Sequence, residues 1–400
     1  KSAPVVVTSV MYHVGAKDEN PERTGFAHFF EHLLFEGTEN IERGEWFKLV
    51  TSNGGHNNAN TSDDRTYYYE VFPSNNLELA IWMESDRLLQ PVINQIGVDT
   101  QNEVVKEEKR LRVDNSPYGN WITEVKKNLF KKHPYRWAPI GSMDHLDAAT
   151  LDEFQAFNKK FYVPNNAVLV IAGDIEFAKT KDLVQKYFGV IKKGADVPRV
   201  NIQEDPITKT IHATAYDANI QIPMYITAYR TPSMKTRDAR VLDMISSYLS
   251  GGKSSPMQKK IVDEKKMALQ LFAFNYSQED YGMYLIGGLP MGDTTREALQ
   301  KEIDAEITKL QTELISERDY QKLQNDFENR YVSQNSDLEG LAENLATNYL
   351  LYGDINLINE EIEIYRSITR EEIRDIAKKY LQSNSRLLLD YVPAKEDSAK

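Results

Sequence analysis

Apolar residues along the chain recur at two periods, and the order in which those periods follow one another outlines the fold. Residues 5–14, rich in Val and Thr, read as a strand followed by a polar turn at 17–22. Phe26, Phe29, Phe30, Leu33 and Leu34 then form a stripe at helical spacing, which Thr24 and Gly25 can open and Gly37 can close. A second helix over 44–52 runs into Asn53-Gly54-Gly55, a strong turn signal, and 56–61 with 65–72 reads as a hairpin. Helical patterns follow at 75–90, 97–114 and 119–131. The first half closes with a helix at 151–161, the turn Pro164-Asn165-Asn166, a strand at 167–172 and a helix at 178–188.

The stretch 194–206 is rich in breakers and reads as a linker, after which the order repeats. Strands are expected at 208–216 and 220–229, helices at 236–249 and 255–265, strands at 267–275 and 281–288, then helices up to a last strand at 386–391. An echo at half the chain length predicts an α+β fold of two homologous α/β-sandwich halves, each a mainly antiparallel sheet with helices packed on one face. The expected domains are 1–193 and 207–400. The second copy opens with two strands and the first with one, so a further strand is expected upstream of Lys1.

Composition narrows the function. A chain of 400 residues suits two domains, and 41% hydrophobic with 27% charged residues is a globular balance with no run long enough to span a bilayer. A net charge of -12 argues against nucleic acid, whose phosphates are bound by Lys and Arg. With 0 Cys, disulfides, thiolate catalysis and Cys-ligated zinc are excluded.

The chemistry concentrates in His28-Phe29-Phe30-Glu31-His32. Two His four apart project from one helix face and can both reach a metal at about 2.0–2.1 Å, with Glu31 between them. This is the H-x-x-E-H arrangement. Such a pattern also arises by chance on half-buried helices. Here the rest of the helix is Phe and Leu, and His and Glu on an apolar face are costly unless something satisfies them. A catalytic zinc needs a third protein ligand and an open position for water. The acidic helix after Gly97 offers Glu103, Glu107 and Glu108, among which spacing does not choose. Glu31 is placed to take a proton from the water and pass it to a leaving amine.

The segment Thr24-Gly25-Phe26-Ala27-His28-Phe29-Phe30-Glu31-His32-Leu33-Leu34-Phe35-Glu36-Gly37-Thr38 closely resembles the signature of the pitrilysin, insulysin and mitochondrial processing peptidase family. The resemblance continues in Asn57-Asn58-Ala59-Asn60-Thr61-Ser62 with Thr66-Tyr67-Tyr68-Tyr69, in Val104-Val105-Lys106-Glu107-Glu108, in His133-Pro134-Tyr135 through Ile140-Gly141-Ser142, and in Tyr162-Val163-Pro164-Asn165-Asn166-Ala167. The second half resembles the family mainly through Ser250-Gly251-Gly252-Lys253-Ser254-Ser255. The resemblance implies one zinc ion per chain, with His28, His32 and Glu108 as ligands and Glu31 as general base. Glu108 falls 76 positions after His32, as the family pattern has it, with Glu107 as the alternative. It also implies that Asn58 and Ala59 lie on an exposed edge strand to which a peptide substrate adds, and it gives His56 no role.

Two positions depart from the family pattern. Gln101 stands where the family has a second Glu that supports the metal site, and an amide there is expected to tune the site by hydrogen bonding a ligand. In the second half, Val262 and Leu269 stand where active members carry the Arg and Tyr that contact the substrate carbonyl. Neither can donate a side-chain hydrogen bond. The expectation is therefore a zinc metalloendopeptidase subunit acting on unstructured peptides, paired with a homologous partner that supplies the missing clamp in a heterodimer. A homodimer using Lys259, Lys260 or Tyr276, and a non-catalytic assembly subunit, are the alternatives. Cobalt or manganese would also suit the donor set. The acidic, Cys-free composition points to a bacterial periplasm, with the cytoplasm as the alternative.

Overall fold

In the computed structural model, which describes residues 3–394, strands and helices follow the expected alternation. The first half contains β1 (Val5–Tyr12), α1 (Phe26–Leu33), α2 (Trp46–Ser52), β2 (His56–Thr61), β3 (Thr66–Pro73), α3 (Leu77–Leu89), α4 (Gln95–Lys109) and α5 (Trp121–Leu129). It continues with α6 (Met143–Asp147), α7 (Leu151–Phe161), β4 (Ala167–Gly173) and α8 (Phe177–Phe188). The second half runs β5 (Ile211–Asp217), β6 (Met224–Pro232), α9 (Arg237–Ser250), β7 (Ala268–Tyr276), β8 (Tyr281–Pro290) and α10 (Arg296–Thr312). It ends with α11 (Glu317–Gln334), α12 (Leu338–Thr347), α13 (Leu357–Ser367), α14 (Arg370–Tyr380) and β9 (Leu387–Pro393). The expected helix over 255–265 is wound as a π-helix at Gln258–Glu264, and α4 runs on into a π-helical turn at Arg110–Asp114.

The chain divides into two compact units, neither of them continuous in sequence. One comprises Lys1–Lys109, Trp137–Ile202 and Val332–Asn359, the other Arg110–Arg136, Gln203–Tyr331 and Glu360–Lys400. Relative to the expected halves 1–193 and 207–400, two segments are exchanged: 110–136 packs in the second unit and 332–359 in the first. Among the described residues, no helix is long and apolar enough to cross a membrane.

The sheet of the first unit has the order β2-β3-β1-β4, antiparallel throughout. β1 lies inside it and is buried on both faces, which explains its near-continuous apolar run. Alternate residues point opposite ways. Val10, Tyr12 and Tyr68 join the core under α1, whereas Met11 and Tyr67 meet Ala346 of the exchanged α12 on the other face. The second unit has five strands in the order β5-β9-β6-β8-β7, with β5 parallel to β9 and the rest antiparallel. One of its faces packs on α9, α10 and α14 through Tyr229, Ile245, Tyr284, Ile303 and Ile373. The other takes Val125 and Leu129 of the exchanged α5 against Ile226 and Leu285. In both units the helices of the same half cover one sheet face, and an exchanged helix covers the second.

Within the second unit, α9 is opened by Thr236, whose hydroxyl accepts the Ala239 N–H. Midway along it, Asp243 accepts hydrogen bonds from Asn275 Nδ2 and the Tyr365 hydroxyl, both at 3.0 Å. Burial pushes its carboxyl up to about 6 despite those donors. The folded state therefore holds the proton more tightly than the unfolded chain does. The stability this contributes is full below the ordinary carboxylate range and is lost as pH rises through about 6. Asp243→Asn, neutral at every pH, is expected to flatten the fall in melting temperature between pH 4 and 6.5 in scanning calorimetry. An unchanged slope would show that Asp243 titrates normally.

Candidate metal centre

α1 has eight residues and carries most of the candidate site. It has no side-chain cap of its own; its N-cap is Gly25, at φ 101. The carboxylate of Glu19, upstream and buried, takes its place: it accepts the Gly25 N–H at 2.9 Å and the Ala27 N–H at 2.8 Å. A helix start presents unpaired N–H groups and a partial positive charge, so a buried carboxylate suits it. Gly141 lies so close that a Cβ there would meet the Gly25 nitrogen at 2.3 Å, which is why this approach requires glycine. The apolar face is packed by aromatic stacking, with ring centroids 4.6 Å apart for Phe26 on Phe154, 4.7 Å for Phe29 on Phe154 and 5.4 Å for Phe30 on Phe157. On the sheet side, the Tyr68 hydroxyl donates to the Phe30 carbonyl at 2.7 Å. His28, Glu31 and His32 are left on the remaining face.

Those three side chains form the one group of potential metal ligands found among the described residues. Glu108, on α4, joins them. Its Oε2 lies 3.1 Å from His32 Nε2 and 3.5 Å from His28 Nε2. Donors bound at about 2.1 Å around one tetrahedral ion stand about 3.4 Å from each other. Glu108 is therefore spaced from each imidazole as a fellow ligand would be, and the ligand atoms of the two His lie within 4.8 Å of each other. Glu31, whose carboxylate lies within 4.8 Å of the ligand atoms of both His, is also held from β2: its Oε2 accepts the Thr61 hydroxyl at 2.6 Å. Burial raises the pKa of Glu31, against the opposing effects of the Thr61 hydrogen bond and His32. Of the acids on α4, Glu103 and Glu107 are exposed, and Glu103 pairs with Lys106 at 3.3 Å. Val98 and Val105 of the same helix are buried in the core under α1, which turns Glu108 toward the His pair.

The other expected residues are distributed as follows. Gln101 does not bond a ligand: its amide donates to Glu36, which also pairs with Arg43. The expected hydrogen bond is replaced because Glu36, just past α1, lies nearer the start of α4. Asn58 and Ala59 lie on β2, which among the described residues pairs with β3 alone, and the Ala59 N–H is held by Asn58 Oδ1 at 2.9 Å. His56 pairs with Glu339 at 3.0 Å on the surface. In the second unit, Val262 packs against the core and Leu269 is exposed on β7. Lys260 is engaged by Glu306 at 2.5 Å. Glu19 and Tyr68 were not foreseen as supports. Tyr68 stands in a noted motif, but nothing in the local pattern marks Glu19.

Comparison with known proteins adds independent findings. Residues 1–136 match the family described as Insulinase (Peptidase family M16), and residues 148–327 match Peptidase M16 inactive domain. The zinc protease PqqE of Helicobacter pylori is 30% identical over 385 residues, covering 94% of this chain and 85% of that protein. A probable mitochondrial-processing peptidase subunit beta of Arabidopsis thaliana is 22% identical, covering 95% and 73%. The crystal structure of a protease from Helicobacter pylori superposes with a TM-score of 0.92 at 28% identity, covering 98% of this chain and 95% of that one.

Removing the carboxylate that caps α1 leaves two buried N–H groups unpaired. Glu19→Ala is expected to lower stability by about 3 kcal/mol in urea denaturation. A loss below about 1 kcal/mol would mean that other groups hold the helix start.

Proposed function

The chain belongs to the insulinase family, peptidase family M16, and we propose that it is the metal-bearing subunit of a zinc metalloendopeptidase that cleaves unstructured peptides. The observation that carries this reading is the convergence of His28, His32 and Glu108 at ligand spacing beside a separately held Glu31. In this reading His28, His32 and Glu108 hold one zinc ion. Bound zinc supplies a water acidified toward a pKa of about 7 and a positive charge that polarises the scissile carbonyl. Glu31 accepts the proton of the attacking water on its carboxylate and delivers it to the amine nitrogen that leaves. Its place beside the ligand set suits a group that must hold a proton between those two transfers. The Thr61 hydroxyl holds one carboxylate oxygen of Glu31 beside the ligand set.

The peptide adds along the free edge of β2. There the Ala59 N–H exchanges its bond to Asn58 Oδ1 for one to the substrate backbone. Pairing through backbone groups selects for extended, unfolded chains more than for sequence. The clamp on the substrate carbonyl is assigned to a homologous partner subunit, since Val262 and Leu269 have no donor to offer. A subunit arrangement is in keeping with the plant relative, which is named as a subunit beta. The Cys-free composition suits a periplasmic location.

A second reading, a non-catalytic assembly subunit, draws on the inactive-domain match. That match spans 148–327, whereas all four site residues fall within the insulinase match at 1–136. That separation favours the first reading.

Glu31→Gln is expected to retain one zinc per chain and to lose about 10²–10⁴-fold in peptide turnover. Glu108→Ala should lose the zinc itself. Metal analysis and a quenched-peptide assay, run with and without the partner, check both; a Glu31→Gln protein with undiminished turnover would overturn the assignment.

A further inference from the structure

Under α1 lies a cluster of charges that the reaction does not use. Arg87 and Glu84 on α3 and Glu70 on β3 are all fully buried. Arg87 Nη2 donates to Glu70 Oε1 at 2.8 Å and lies 3.2 Å from Glu84 Oε1. Three rings box the guanidinium, with its central carbon 4.1 Å from the Trp46 centroid, 4.4 Å from Tyr68 and 4.6 Å from Phe35. Buried ion pairs are weak stabilisers compared with an apolar residue of similar volume, so stability alone is a poor reason for one here. What a planar, doubly paired cation supplies is geometry, because rings prefer its face at a set distance.

Two of the three rings bear directly on the metal centre. Tyr68 bonds the carbonyl of Phe30, the residue before Glu31, and Phe35 follows the last turn of α1. The Tyr68 and Phe35 rings also touch each other, with centroids 5.7 Å apart. We propose that Arg87 is a positioning residue for the metal centre. Fixed by Glu70 and Glu84, its guanidinium sets the Tyr68 and Phe35 rings, and through the Tyr68 hydroxyl it fixes the turn of α1 that carries His28, Glu31 and His32. Ligand distances tolerate only about 0.2 Å, so a small shift of that turn alters metal binding. The inference rests on the zinc reading above.

Two variants test it, Arg87→Met and Tyr68→Phe, with zinc release to a chelator and the absorption spectrum of the cobalt(II) form as readouts besides kcat and KM. Tyr68→Phe keeps the ring over Arg87 and removes the hydroxyl that bonds Phe30, so it remains informative if Arg87→Met does not fold. Both folded variants are expected to release zinc about tenfold faster and to shift the cobalt bands. Under the peptidase reading, kcat falls about tenfold or more while KM stays within about twofold. Folded variants with wild-type zinc release and an unchanged cobalt spectrum would overturn the proposal. A wild-type chain that binds metal but cleaves nothing with its partner would overturn the peptidase reading and leave this test standing; a wild type that takes up no metal overturns both.

Discussion

Three of the four groups at the candidate metal centre ride on a helix of eight residues, and isolated helices shorter than about 12–15 residues are marginal in water. Two turns of helix cannot hold two imidazoles and a carboxylate to the tolerance a metal requires, so α1 has to be fixed from outside. The structure does this on every side. A buried carboxylate at Glu19 closes the start, Phe154 and Phe157 stack on the apolar face, and Tyr68 bonds the backbone midway. Gly25 and Gly141 let the neighbouring loop press against the first turn. Apart from the Glu19 cap, these contacts come from segments distant in sequence, which makes the site a property of the folded first unit and not of its motif.

The second unit shows the same helix position relieved of that demand. α9 follows β6 as α1 follows β1, yet it has 14 residues and caps itself through Thr236. Its half-buried carboxylate, Asp243, is satisfied by Asn275 of the neighbouring hairpin and by Tyr365. Thr61 on β2 and Asn275 on β7 thus make comparable hydrogen bonds to carboxylates on the two helices, with different consequences. In the first unit the bond occupies one oxygen of Glu31, which stands beside the two His. In the second it completes a closed set, and no His stands nearby on α9 to open it.

Much of this was legible in the sequence because the relevant signals are local. The Val- and Thr-rich run of 5–14 and the Phe and Leu stripe of 26–34 gave β1 and α1, and His28, Glu31 and His32 follow from helical spacing alone. The choice among Glu103, Glu107 and Glu108 needed more. Spacing left it open, although Val98 and Val105, seven apart and both buried, carry the phase that turns Glu108 inward. The cap at Glu19 was illegible because a polar turn residue six positions before Gly25 looks like any other. The exchange of 110–136 and 332–359 was hidden for a different reason. Amphipathic helices such as α5 and α12 declare that they have an apolar face, but not which sheet it covers.

Gln101 supports α4 from a position that touches no metal ligand. Its amide meets Glu36, which Arg43 also engages, and Arg43 in turn donates to Thr100 at 2.9 Å. These bonds tie the early turns of α4 to the segment that leaves α1. From Gln101 to Glu108 is seven residues, close to two full α-helical turns, so the two side chains share a face. The helix keeps α geometry through Lys109 and widens into the π turn only at Arg110. Had that widening begun a turn earlier, Glu108 would have rotated away from His28 and His32. Anchoring at Gln101, passed along an unbroken stretch of α-helix, therefore fixes the direction in which the distant carboxylate points without touching it.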